Sequence, residues 1–125
     1  MAKPKKKILL VDDSSTALMI EQMLLSKASY VVITARDGRE GVATATRERP
    51  DLILMDVVMP HMTGIDALKV LRAQEETGEI PVILVTTRGE HENVEAGFAS
   101  GCSDYVTKPI NGPELLTKLR DQLGD

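Results

Sequence analysis

The sequence predicts an α/β protein with a doubly wound parallel sheet, built from five strands that are each followed by one helix. Three observations predict it. Short apolar runs recur along the chain and are rich in β-branched residues and Leu, as strands buried on both faces require. Amphipathic stretches lie between consecutive runs, so the connections are single-helix crossovers, which are right-handed and cover both faces of the sheet. No linker, repeat or low-complexity segment interrupts the alternation over the 125 residues.

The elements follow in order. Lys7–Val11 is the first strand. Ser14 or Ser15 caps the first helix, in which Ala17, Ile20 and Leu24 take helical spacing. Leu18, Met19, Met23 and Leu25 make that helix apolar on more than one side, and most of this excess is expected in the core, with a partner face as the alternative. Tyr30–Ala35 is the second strand, followed by a helix over residues 38–48 that Pro50 ends. Asp51–Met55 is the third strand; Thr63 caps a helix through Ile65, Leu68 and Leu71 that stops near Gly78. Pro81–Thr86 is the fourth strand. Residues 90–100 form a mostly polar helix, with Val94 and Phe98 facing inward and Gly101 at its end. Asp104–Val106 is the fifth and shortest strand. Pro113 falls in the first turn of the last helix, ahead of Leu115, Leu116, Leu119 and Leu123.

Composition excludes several classes. With 42% apolar and 27% charged residues the chain is neither disordered nor short of a core, and that core is aliphatic. No apolar run approaches the roughly 20 residues of a membrane helix. The basic start, Lys3-Pro4-Lys5-Lys6-Lys7, is followed by only four apolar residues before Asp12-Asp13, too few for a secretory leader. A single cysteine makes no internal disulfide, which points to the reducing cytoplasm. The net charge of −4 argues against a nucleic-acid partner. Residues 1–6 read as a solvated basic tail and residues 7–124 as one domain, with no room for an output domain.

The unusual residues share one kind of place. In open parallel sheets ligands bind beyond the carboxyl ends of the strands, where the strand order reverses. Asp12-Asp13 follow the first strand, Asp56 follows the third, Thr86-Thr87 close the fourth, and Lys108-Pro109 follow the fifth. Each is ordinary alone: Asp caps helices and turns, Thr favours strands, and Lys is usually solvated. A sheet ordered 2-1-3-4-5 would bring three acids, a hydroxyl and a lysine to one edge.

Such a cluster restricts its own chemistry. Carboxylates crowded together raise a pKa or bind a cation. All-oxygen donors select a hard ion, Mg2+ or Mn2+ before Zn2+. Three acids, one lysine and a divalent cation are formally neutral together, so the site can receive a phosphoryl group. A carboxylate nucleophile then forms an aspartyl phosphate, with cation and lysine against the equatorial oxygens. Asp56 is the best nucleophile because it stands alone on the central strand.

The constellation resembles the receiver domain of two-component response regulators over about residues 6–123. Four pieces carry the resemblance: Leu10-Val11-Asp12-Asp13-Ser14; Leu54-Met55-Asp56-Val57-Val58-Met59-Pro60 with Gly64; Val85-Thr86-Thr87; and Tyr105-Val106-Thr107-Lys108-Pro109. The flavodoxin-like strand order 2-1-3-4-5 is already described for the chemotaxis regulator of this family and comes with the resemblance. So do the roles. Asp56 is implied as phosphoacceptor, Asp13 as direct Mg2+ ligand, Asp12 as ligand through water, and the Val58 carbonyl as the remaining protein ligand. Lys108 is implied as the phosphoryl-binding lysine, with Lys108–Pro109 a cis peptide. Thr86 is implied as the switch hydroxyl and Tyr105 as the aromatic ring that turns inward after it.

The resemblance also implies partners: a sensor histidine kinase or phosphotransfer protein as donor, and a downstream protein bound by the fourth helix, fifth strand and fifth helix. Neither nucleic acid nor membrane insertion is implied, and the chain is expected as a monomer or weak dimer. It is a switch rather than a turnover enzyme. Thr87 departs from the smaller residue usual after the switch Thr. Val58 and Arg88 stand two residues beyond Asp56 and Thr86, where the family tunes dephosphorylation. Val58 offers no acid or amide to orient water, so a long-lived phosphoryl group is expected. Cys102 is expected as a buried filler, and His61 and His91 as solvated. One alternative is a receiver fragment of a larger regulator. Another is a phosphatase of the haloacid-dehalogenase type, which wants a second Asp where Val58 stands. A flavodoxin would want aromatics around a flavin and no acids beside its phosphate.

Overall fold

The structure, a computed structural model, describes residues 4–87 and 89–125. It is a parallel sheet of β1 (Lys7–Val11), β2 (Val31–Ala35), β3 (Leu52–Asp56), β4 (Val82–Thr87) and β5 (Asp104–Lys108), in the order β2-β1-β3-β4-β5. The helices between and after them are α1 (Ser15–Lys27), α2 (Gly38–Glu48), α3 (Gly64–Ala73), α4 (His91–Ala99) and α5 (Gly112–Leu123). The register aligns Val11 with Met55, Asp56 with Val85, and Thr87 with Lys108, so the functional ends of the strands are flush.

Strand periodicity sorts the core into two layers. Ile8, Leu10, Leu52, Leu54, Ile83, Val85 and Val106 face Leu18 and Leu25 of α1 and Leu115 and Leu119 of α5. Leu9, Val11, Ile53, Met55, Val82 and Leu84 point the other way, toward Ala45 of α2, Ala67, Leu68 and Leu71 of α3, and Cys102. Cys102 is the buried filler the sequence suggested, and burial pushes its thiol up to about 11.

The caps explain where helices begin. The side chains of Ser14, Asp37, Thr63 and Asn111 each accept from the backbone N–H three residues on, satisfying a donor that the first helical turn leaves open. The end of α3 falls earlier than expected, at Ala73 rather than near Gly78. The buried Thr77 hydroxyl explains it by donating to the Leu71 carbonyl at 2.7 Å, so the last turn is closed from outside the helix.

Two helix faces differ from expectation. In α1 the buried stripe is Leu18, Glu21 and Leu25, while Met19, Ile20 and Met23 are exposed, so half of the apolar excess (Leu18 and Leu25) lies in the core and half (Met19 and Met23) outside it. In α4 Phe98 is 48% exposed rather than inward. Gly97 takes the buried position, where an added Cβ would lie 2.6 Å from Leu84 Cδ1 and 3.3 Å from Cys102 Sγ. The helix packs too close to the sheet for a ring there, and Phe98 is turned out.

Candidate functional site

The edge of the sheet assembles what the sequence scattered. Asp12 follows β1 directly, Asp56 ends β3, Thr86 is the penultimate residue of β4, and Lys108 ends β5. Asp12, Asp56 and Thr86 are 1%, 5% and 1% exposed, whereas Asp13 is open to solvent. One carboxylate oxygen from each of Asp12, Asp13 and Asp56 lies within 4.8 Å of the others. Lys108 Nζ reaches across, donating to Asp56 Oδ2 at 3.0 Å and standing 3.5 Å from Asp12 Oδ2.

Local chain geometry fixes each acid. Asp12 Oδ1 accepts from the Ser14 amide at 2.9 Å, which ties the loop to the start of α1. Its other oxygen, Oδ2, has no hydrogen-bond partner among the described residues. Asp56 Oδ1 accepts from the Val58 amide at 3.3 Å. Val58 itself is exposed beside the acids. The Thr86 hydroxyl is likewise buried and without a partner among the described residues. Asp12 Oδ2, which has only the Lys108 ammonium 3.5 Å away, and the Thr86 hydroxyl are thus two buried polar atoms with unused hydrogen-bonding capacity at one site.

The electrostatics are those of a crowded acid. Burial pushes Asp56 above the usual carboxylate range; the Lys108 hydrogen bond opposes this and the Asp12 charge adds to it. For Lys108, burial pulls downward, but its bond to Asp56 and the charges of Asp56 and Asp12 outweigh it, so its pKa is raised. The lysine is held charged, while burial works against the charge on Asp56.

Gly64, the first residue of α3, locks this loop. Its amide donates to the Val57 carbonyl at 2.8 Å, and a Cβ would collide with the Asp56 carbonyl and meet Val57 Cα at 3.0 Å. Gly64→Val is expected to displace Asp56 and destabilise the fold by about 1–3 kcal/mol. Urea denaturation checks this; an unchanged midpoint would contradict the close packing.

Of the remaining expectations, Lys108–Pro109 is cis, and His61 and His91 are exposed. Arg88 lies outside the described residues, as do residues 1–3 of the basic start. The Lys6 carbonyl accepts from Val31 at 2.9 Å, so the end of that start is held against β2. Sequence reasoning missed Glu21, a glutamate 4% exposed that lines a groove with Lys108 and Pro109. Its signal was present: it stands three residues after Leu18 and four before Leu25, on the core stripe.

Residues 8–120 match the family model described as the response regulator receiver domain, and the chain belongs to that family. It is 42% identical over 113 residues to the protein PilH of Pseudomonas aeruginosa, covering 90% of this chain and 93% of that one. The structure of the Vibrio cholerae chemotaxis protein CheY4 superposes with a TM-score of 0.90 at 38% identity, covering 96% of this chain and all of that one. The receiver domain of sensor histidine kinase PA1611 from Pseudomonas aeruginosa superposes with a TM-score of 0.90 at 32% identity, covering 98% of this chain and all of that one. That receiver carries a magnesium ion coordinated in its active site cleft. The chain is therefore a receiver domain of two-component systems, a signalling domain whose acidic pocket is of the kind that serves phosphorylation and Mg2+ binding. Receiver domains take phosphoryl groups from histidine kinases and act on downstream targets. Among the described residues, no helix is long and apolar enough to cross a membrane.

Proposed function

We propose that Asp56 is the phosphoacceptor of a phosphorylation-driven switch, supplied by a histidine kinase or phosphotransfer protein in the cytosol. The observation that carries this is the meeting of Asp56, a lysine 3.0 Å away, two further acids and an unpartnered buried hydroxyl at one sheet edge. The donor set fits Mg2+: it is all oxygen, and Asp12 Oδ2 is buried with no hydrogen bond to satisfy it. Asp13, Asp12, Asp56 and the Val58 carbonyl would hold the ion. When bound, it supplies positive charge against the phosphoryl oxygens.

The chain's own residues do the rest. An Asp56 oxygen attacks phosphorus, and the bond from phosphorus to the donor's imidazole nitrogen breaks. Lys108, already paired with Asp56, moves its hydrogen bond to a phosphoryl oxygen. The Thr86 hydroxyl donates to another, gaining the partner it lacks. Tyr105, half-buried on β5, then turns into the space Thr86 leaves, and the surface of α4, β5 and α5 presented to a downstream protein changes. Charge-assisted bonds of about 1.5–3 kcal/mol each can together supply the roughly 5.5 kcal/mol that takes an active population from 1% to 99%.

Beryllofluoride with Mg2+, a phosphoryl mimic, is expected to shift the amide resonances of Thr86, Tyr105 and the α4-β5-α5 surface. Shifts confined to the acidic pocket would contradict the switch. Val58 brings no acid or amide to the pocket mouth, so the phosphorylated state is expected to last minutes or longer, and Val58→Asn to shorten it. A wild-type half-life of seconds would contradict this reading.

A further inference from the structure

Lys118, on α5, holds Tyr105 in two ways. Its ammonium donates to the Tyr105 carbonyl and stands 4.9 Å from the centre of the Tyr105 ring. Asp104 Oδ1 is 3.5 Å from the same nitrogen and Glu114 Oε1 is 4.0 Å from it. A lysine ammonium has three N–H donors, and here carbonyl, carboxylates and ring share them. The two acids keep the cation on this side of β5. The Phe98 ring meets Tyr105 edge-on, with centroids 6.1 Å apart.

Next to the switch hydroxyl there is room for a ring. A cavity of about 170 Å3 is lined by Thr86, Val94, Tyr105 and Thr107, among others. Lys118 and Phe98 do not line it. A Tyr105 ring that enters this cavity leaves both contacts, whereas the backbone bond from Lys118 to the Tyr105 carbonyl can persist. The lysine is thus anchored on the strand and discriminates between ring positions.

We propose that Lys118 is a positioning residue that holds the Tyr105 ring outward in the unphosphorylated protein and thereby sets the resting population of the switch. This rests on the reading of Thr86 and Tyr105 as a coupled switch. The contact favours one ring position only, so its loss raises the inward population by about three- to tenfold, the range that partly exposed cation–ring contacts provide.

The chain has two tyrosines, Tyr30 and Tyr105, and no tryptophan, so 3-fluorotyrosine labelling gives two fluorine resonances, with Tyr30 as internal control. Tyr105→Phe assigns the lines. The solvent-isotope shift of each fluorine reports ring exposure and is insensitive to a nearby charge. In the wild type the Tyr105 shift is expected to fall on addition of beryllofluoride and Mg2+. In Lys118→Met it is expected to fall part of the way without beryllofluoride, with Tyr30 unchanged, and in Lys118→Arg to stay at the wild-type value. Asp104→Asn, which removes one anchor of the ammonium, is expected to move it in the same direction by less and serves if Lys118→Met does not fold. A Tyr105 shift that responds to beryllofluoride in the wild type but is unchanged in both variants overturns the latch and leaves the switch standing. A wild-type shift that ignores beryllofluoride overturns the switch itself.

Discussion

Asp56→Asn is expected to fold at least as stably as the wild type and to take up no phosphoryl group from acetyl phosphate and Mg2+. The two halves have one cause. Asp56 is buried, and its charged form is disfavoured by that burial and by Asp12 more than Lys108 favours it. A carboxyl whose folded pKa is raised stabilises the protein less once pH exceeds its unfolded value, so a neutral amide of the same shape removes a penalty. The Asn carbonyl oxygen can still accept from Lys108, but the side chain has no carboxylate to attack phosphorus. Intact-mass spectrometry and urea denaturation read the two halves. Full modification of the variant would exclude Asp56 as the acceptor.

Glu21 gives the largest expected effect on stability. Burial first, and then the Asp12 charge, push its carboxyl from 4.5 to about 7; Lys108 opposes and Asp56 adds. Between those values the folded protein holds a proton that the unfolded chain has released, so stability falls as pH rises and the full penalty is present above about pH 7. The shift corresponds to about 3 kcal/mol. Glu21→Gln removes this titration. Glu21→Leu is expected to gain more, because Leu18 and Leu25 flank the position in the core stripe. Urea denaturation at about pH 5 and about pH 8 is expected to show wild-type stability dropping by about 2.5 kcal/mol more than that of Glu21→Gln, since part of the penalty is already present at pH 5. Asp56 titrates in both proteins, so the difference reports Glu21 together with its coupling to Asp12, Lys108 and Asp56. Parallel curves would show that the carboxyl is solvated in the fold.

Glu21 also marks where the sequence stops being legible. Hydropathy finds strands easily here, because β1, β3 and β4 are buried on both faces and read as continuous apolar runs. The site follows from the strands: once their ends are placed, Asp12, Asp13, Asp56, Thr86 and Lys108 must meet, since a parallel sheet puts all carboxyl ends on one edge. Helix faces are harder. α1 carries apolar residues on every side, so Ala17, Ile20 and Leu24 looked as good a stripe as the one that is buried. The register was decided by how the helix lies on β1, a tertiary fact, and that register carried an acid inward. Phe98 failed for a related reason. Apolarity argued for burial, but the space over Leu84 admits only Gly97. Lys118 could not be read at all, because its contacts depend on how α5 crosses β5.

The central claim is that a covalent phosphoryl group sits on Asp56. The protein, treated with acetyl phosphate and Mg2+, can be reduced with borohydride, which converts an aspartyl phosphate to homoserine and leaves free carboxylates alone. Peptide mapping is expected to find homoserine at position 56 and at no other acid. Homoserine at Asp12 or Asp13, or a phosphoryl gain that borohydride leaves intact, would contradict the account.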